Sequence, residues 1–278
     1  MPLFGRKILI TGGTQGLGRA MAYEFAARRA QVVLTGRDLE RARDVARVLT
    51  QEISEKRKDA GEPSVVGLAC EVTDLDSVRA AVDGACASGD NITDVVANVG
   101  RVGTYGRFDR LDPAQWRETV GVNLFGTYHT FLSCVQPILE AGGGTLVGVS
   151  GHGAIRPAPF ASPYSSSKAA VVQLVRVLAR EYENDPLRFL VFSPGILEEG
   201  LTTEIDLVAQ DAHHYTNAYA RALRHYLRKP LTAAASLAAS LVDPANPLPS
   251  GQKVALHKPF EVTWAMARAR LKALRPGR

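Results

Sequence analysis

Cysteine is scarce in this chain of 278 residues: Cys70, Cys86 and Cys134 stand far apart, with no CxxC pair. Neither a disulfide framework nor a zinc or other metal site is suggested, and a reducing, cytoplasmic setting is expected. Long apolar runs are missing too. No stretch would span a bilayer, and no basic-apolar leader opens the chain, so a soluble protein without a membrane span is expected. Internal repeats and a dividing linker are also absent, which implies one domain over residues 1–278. Acidic residues are missing from position 264 onward, where Arg268, Arg270, Lys272, Arg275 and Arg278 account for the whole net charge of +5. Charge confined to a short tail, 264–278, reads as a solvated or subunit-contacting end and not as a nucleic-acid site. Trp264, Ala267, Leu271 and Leu274 could lay one apolar stripe on a neighbour there, with membrane-surface contact as the alternative.

What is present is ordinary in bulk, 46% apolar and 22% charged, and long enough for one large core. Strand-like runs recur at Lys7–Thr11, Val32–Thr35, Val65–Cys70, Asp94–Ala97, Thr145–Val149, Phe189–Phe192 and Lys253–Leu256. Helical patterns separate them near Ala20–Arg29, Asp38–Lys58, Asp74–Ala87, Pro113–Glu140, Ser165–Glu183 and Thr232–Leu241. Such alternation predicts an α/β fold, a doubly wound parallel sheet with helices on both faces. Gly142-Gly143-Gly144 reads as a helix stop.

Two local patterns carry chemistry. The first strand runs into Gly12-Gly13-Thr14-Gln15-Gly16-Leu17-Gly18 and then a helix, the order a dinucleotide turn requires. Glycines let backbone N–H groups approach a pyrophosphate at the positive end of a helix. Far downstream, Tyr164 and Lys168 stand four apart, on one face of a helix. An ammonium near a phenol favours phenolate and pulls its pKa down from about 10, making Tyr164 a candidate acid/base for a carbonyl/alcohol pair.

Taken in order, Thr11-Gly12-x-x-x-Gly16-x-Gly18, Ala97-Asn98-Val99-Gly100, Asn123, Tyr164-x-x-x-Lys168 and Pro194-Gly195 resemble the short-chain dehydrogenase/reductase family over nearly the whole chain. The resemblance implies a single-domain Rossmann fold. It implies Tyr164 as the acid/base, Lys168 lowering its pKa and holding the nicotinamide ribose, Asn123 supporting a proton-relay water, and a serine orienting the reacting oxygen. Asn98 and Gly100 would lie under the cofactor, and Pro194, Gly195 and Ile196 beside the nicotinamide. Glu71-Val72 stands where the family usually has Asp-Val next to the adenine.

Cofactor choice turns on the end of the second strand. An NAD ribose normally meets an acid there, but this chain has Gly36 followed by Arg37. A guanidinium matches a phosphate in charge and shape, so NADP(H) is expected over NAD(H). Asp38 reads as a helix N-cap.

The family pattern breaks in two places. Its catalytic serine usually stands thirteen residues before the tyrosine; here that position is Gly151, and Ser150 is one residue further back. Ser150-Gly151-His152-Gly153-Ala154 resembles the Ser-Gly-Gly-Gly-Ala variant of some bacterial members, which makes Ser150 the candidate, with His152 as a neighbouring polar group or a solvated loop residue. Glu199 stands where many relatives carry a threonine, with Thr202 and Thr203 following.

Residues 197–229 include His213, His214, Tyr215, Tyr219 and Tyr226, a segment that in the family covers the substrate. The resemblance also pairs two long helices with their copies. Val120, Leu124, Phe131 and Val135 on one and Val171, Leu174, Val175 and Leu178 on the other are the expected contact of a homodimer or homotetramer. The expected activity is interconversion of a ketone and a secondary alcohol on a small molecule. An isomerase or dehydratase-like reaction, or a dinucleotide-binding regulator without turnover, are the alternatives.

Overall fold

The computed structural model describes residues 1–56, 64–154, 158–198, 206–207 and 225–273. Strand β1 (Lys7–Ile10) leads through α1 (Gly16–Ala27) to β2 (Gln31–Gly36), then α2 (Leu39–Lys56), β3 (Val65–Ala69), α3 (Leu75–Cys86) and β4 (Asp94–Ala97). A two-residue β5 (Thr104–Tyr105) precedes α4 (Pro113–Val120), a π-helical turn (Gly121–Phe125) and α5 (Gly126–Glu140). Then come β6 (Gly144–Val149), α6 (Ser162–Glu181), β7 (Leu187–Ser193), β8 (Asp206–Leu207), α7 (Leu231–Leu241), β9 (Lys253–Ala255) and α8 (Pro259–Ala273).

Seven strands form one parallel sheet in the order β3-β2-β1-β4-β6-β7-β9. Strands buried on both faces must be apolar throughout, and Lys-Ile-Leu-Ile of β1 and Asp-Val-Val-Ala of β4 are buried along their whole length. One apolar cluster packs Ile8, Ile10 and Val32 under α1, α2 and α7. A second packs Leu9, Val95 and Leu146 under α3, α5 and α6. The two charged residues in these strands are paired: Asp94 takes Arg6 Nε at 2.7 Å and Thr145 N at 2.9 Å, and Lys7 Nζ donates to Ser88 and to the Asp90 carbonyl.

Strand order reverses between β1 and β4, so the crevice where α/β sheets bind ligands opens past the ends of these two strands. Asn98 bridges it, donating from Nδ2 to the carbonyls of Thr11 and Gly12. Thr11 Oγ1 accepts from Asn98 N at 3.1 Å across the same gap.

The helix expected over Pro113–Glu140 is interrupted by the π-helical turn, and the last helix replaces what read as a tail. Among the described residues no helix is long and apolar enough to cross a membrane.

Candidate active site

The glycine turn has the shape its composition implies. Gly12 and Gly16 take φ of +67° and +51°, values that disfavour other residues. A Cβ on Gly18 would stand 2.1 Å from the Gly12 carbonyl oxygen, so the turn closes only without a side chain there. Helix α1 opens without a side-chain cap and without an acid in its first turn, which leaves its N-terminal N–H groups and positive end for an anion. These residues, Gly12, Thr14, Gln15, Gly16, Leu17 and Gly18, fit a pyrophosphate.

At the end of β2, a Cβ on Gly36 would fall 2.6 Å from Thr14 Cγ2, so a carboxylate side chain has no room unless Thr14 moves. Arg37 is exposed beside it. Asp38 accepts from Arg41 N at 3.1 Å and caps α2, as expected. Glu71 turns its carboxylate onto its own loop, accepting from Thr73 N and Oγ1 at 3.1 and 2.8 Å, so an adenine here would meet mainly backbone and the buried Val72.

Lys168, Asn123 and Gly100 converge. Lys168 is 2% exposed, and its Nζ donates to the Val149 carbonyl at 2.9 Å. A Cβ on Gly100 would lie 3.1 Å from that Nζ and 3.3 Å from Asn123 Oδ1. Asn123 sits in the π-helical turn, fully buried. Its amide clamps Arg101 from both sides and donates to Ser167 Oγ at 2.9 Å, which donates in turn to the Tyr164 carbonyl. The two helices carrying Asn123 and Tyr164 are thereby tied together through side chains.

The two positions weighed for the serine, Ser150 and Gly151, make different contacts. Ser150 is buried, and its Oγ donates to the carbonyl of Lys168 in α6 at 3.3 Å. Ser150 N is held by the Phe192 carbonyl, an extension of the β6–β7 ladder that fixes which way the residue faces. Gly151 instead faces Tyr164: a Cβ there would stand 2.0 Å from the hydroxyl.

Burial raises the Tyr164 pKa well above the usual phenol range, and Tyr105 adds to it. Burial also pushes Lys168 down to about 8.

Past β7, Gly195 takes φ +77° and Ile196 N donates to His257 Nε2 at 3.3 Å. Two neighbours of the site, Tyr105 and His257, carry no motif, whereas Gly151 is the residue that the thirteen-residue spacing points to. Glu199, Thr202, Thr203, His213, His214, Tyr215 and Tyr219 lie outside the described residues, as does the end of the tail with Leu274, Arg275 and Arg278.

On comparison with known proteins, the short chain dehydrogenase profile matches residues 6–208. The chain belongs to the short-chain dehydrogenase/reductase family, whose members are oxidoreductases with an NAD(P)-binding fold. It is similar to "11-beta-hydroxysteroid dehydrogenase A" of Sesamum indicum, 31% identical over 198 residues, 71% of this chain and 54% of that protein. It is also similar to D-threitol dehydrogenase of Mycolicibacterium smegmatis, 30% identical over 195 residues, covering 70% and 71%. The chain spans about half the length of the hydroxysteroid dehydrogenase relatives it matches. Among solved structures, a gluconate 5-dehydrogenase from Burkholderia cenocepacia, in complex with NADP and tartrate, superposes with a TM-score of 0.78 at 23% identity, over 95% of this chain and 97% of that one. A 3-ketoacyl-(acyl-carrier-protein) reductase from Brucella melitensis, complexed with NADH, gives 0.74 at 25%, over 90% and 96%.

Proposed function

We propose that this chain is an NADP(H)-dependent oxidoreductase that interconverts a ketone and a secondary alcohol, with Tyr164 as acid/base. The observation that carries the reading is the placement of the Tyr164 hydroxyl against Gly151, with the buried Lys168 four residues on along α6, at the end of the sheet where the glycine cradle opens. When bound, NADPH supplies a hydride. The chain's own task is then to hold the carbonyl and deliver a proton. A phenol whose pKa is raised by burial stays protonated at neutral pH, so Tyr164 stands ready as a proton donor to a bound carbonyl. Lys168 and Asn123 fix the neighbourhood of that proton, and Arg37 beside a side-chain-free Gly36 favours a 2′-phosphate.

The substrate is proposed as a medium-sized, uncharged carbonyl compound covered by the segment 197–229. The π-helical turn leaves Phe125 exposed, α5 Tyr128 and Leu132, and α6 Val177, the face proposed for a homodimer or homotetramer. The rows expected from sequence need correcting: Phe131, Val171 and Val175 are buried in the chain's own core, so the contact would rest on their exposed neighbours. A cytoplasmic location, no nucleic-acid partner and no metal remain part of the reading.

One observation favours a second reading, a dinucleotide-binding regulator: the Ser150 hydroxyl donates to the Lys168 carbonyl, and the residue against the Tyr164 hydroxyl is Gly151. Tyr164→Phe decides. Reduced-nicotinamide absorbance over a ketone panel should show turnover by the parent protein and a loss of about 10²–10⁴-fold in the variant, with NADPH binding kept. Binding without turnover by the parent would favour the regulator.

A further inference from the structure

His257 is a buried titratable group that the proposed chemistry leaves unused. It follows β9, is 7% exposed, and lies across the bend that follows β7. A Cβ on Gly195 would stand 2.3 Å from its Cδ2 and 2.4 Å from its Nε2, so ring and bend fit only because that residue is glycine. Nε2 accepts from Ile196 N, which makes the ring the neutral tautomer with its proton on Nδ1. Among the described residues Nδ1 has no hydrogen-bond partner; Glu261 Oε2 is 3.9 Å away and already accepts from Lys258 N. A leucine would fill this space without burying two ring nitrogens, so packing alone does not account for the histidine. Its structural effect is on one amide. From the other side, Lys229 N donates to the Ile196 carbonyl and Glu198 N to the Lys229 carbonyl, so the backbone of Ile196 is held at both its N–H and its C=O. Burial first, then Lys229, disfavours the charged ring, with Glu261 opposing, which keeps Nε2 an acceptor.

We infer that His257 is a positioning residue for the nicotinamide end of the dinucleotide site, fixing the Pro194-Gly195-Ile196 bend by accepting the Ile196 amide. The inference rests on the functional reading above together with the family resemblance, which puts that bend beside the nicotinamide.

The test compares the parent protein with His257→Leu, His257→Gln and His257→Asn. NADPH affinity is read by fluorescence titration, and adenosine 2′,5′-bisphosphate, which lacks the nicotinamide half, serves as control ligand. His257→Leu should raise the Kd and KM for NADPH about tenfold, a factor equal to about 1.4 kcal/mol, with kcat within about twofold. Affinity for the bisphosphate should not change. Gln carries an oxygen near the Nε2 position and should restore binding; Asn stops one bond short and should not, a comparison that stands even if His257→Leu fails to fold. Parent-like NADPH binding by both Leu and Asn, or equal losses for NADPH and the bisphosphate, would overturn the inference while the oxidoreductase reading stands. A parent protein that binds neither NADPH nor NADH would overturn both.

Discussion

Gly151→Ala puts the proposed site under a defined load. The added Cβ would stand 2.0 Å from the Tyr164 hydroxyl oxygen, 2.9 Å from Cζ and 3.3 Å from Cε1, so all three nearest contacts belong to the phenol. To reach van der Waals separation the oxygen must retreat by about 1 Å, or the β6 end must shift by as much. Overpacking of this kind costs about 1–3 kcal/mol of stability, which a protein of this size survives. The kinetic effect should be larger, because a reacting group misplaced by about 1 Å loses roughly 10²-fold in rate. We therefore expect kcat to fall by about 10² while the Kd for NADPH stays within a factor of about two, since the Gly12–Gly18 cradle and Arg37 do not touch this residue. Gly151→Ser brings the same Cβ and should behave like alanine in spite of its hydroxyl. Single-turnover rates at saturating NADPH, with thermal unfolding alongside, make the measurement. A folded Gly151→Ala protein with a kcat within about threefold of the parent would refute the idea that the Tyr164 hydroxyl works from this position.

Arg37→Ala should weaken NADPH by about 1.5–3 kcal/mol and leave NADH nearly unchanged; equal losses in a titration with both would remove Arg37 from the site. Lys168 makes a stability prediction with a definite sign. Its folded pKa of about 8 lies below the ordinary 10.5, so between these values the unfolded chain binds the extra proton and stability rises with pH. Urea unfolding of the parent relative to Lys168→Met should show this gain, up to about 3 kcal/mol from pH 7 to 10.5, and a flat difference would contradict it. Leu132→Glu, on the exposed face of α5, should yield a monomeric mass by light scattering where the parent is oligomeric. An already monomeric parent would end the assembly proposal.

Much of the fold was legible because it follows from periodicity and punctuation. Val32–Thr35, Asp94–Ala97 and Thr145–Val149 are apolar on both faces, and only a parallel sheet covered on both sides buries such runs. Asp38, Pro113 and the glycines of the first turn mark element starts by local chemistry. The π-helical turn was not legible, since Gly121–Phe125 continues the pattern of α4 and α5 and the extra residue shows only in three dimensions. Tyr164, Lys168 and Asn123 were found through spacing along the chain. Tyr105 and His257 were not, because each reaches the site from a distant strand end and stands in no motif. Ser150 shows the reverse: its residue type drew attention in the sequence, while its hydrogen bond to the Lys168 carbonyl shows only in three dimensions.

The π-helical turn also has a mechanical meaning. One extra residue advances the phase of everything after it by about 100°, because a helix turns that far per residue. Upstream of it, α4 carries Trp116, whose indole is pinned to Ser162 at the start of α6. Downstream, α5 drives Phe131, Cys134 and Ile138 into the core and leaves Tyr128 and Leu132 outside. Asn123 sits on the shaft between them. Excising a single residue from Gly121–Phe125 would rotate the outward row of α5 into the core and withdraw the amide from Arg101 and Ser167 in the same motion. The geometry of the buried amide and the outward face of α5 are therefore geared together, and neither can drift while the other is kept.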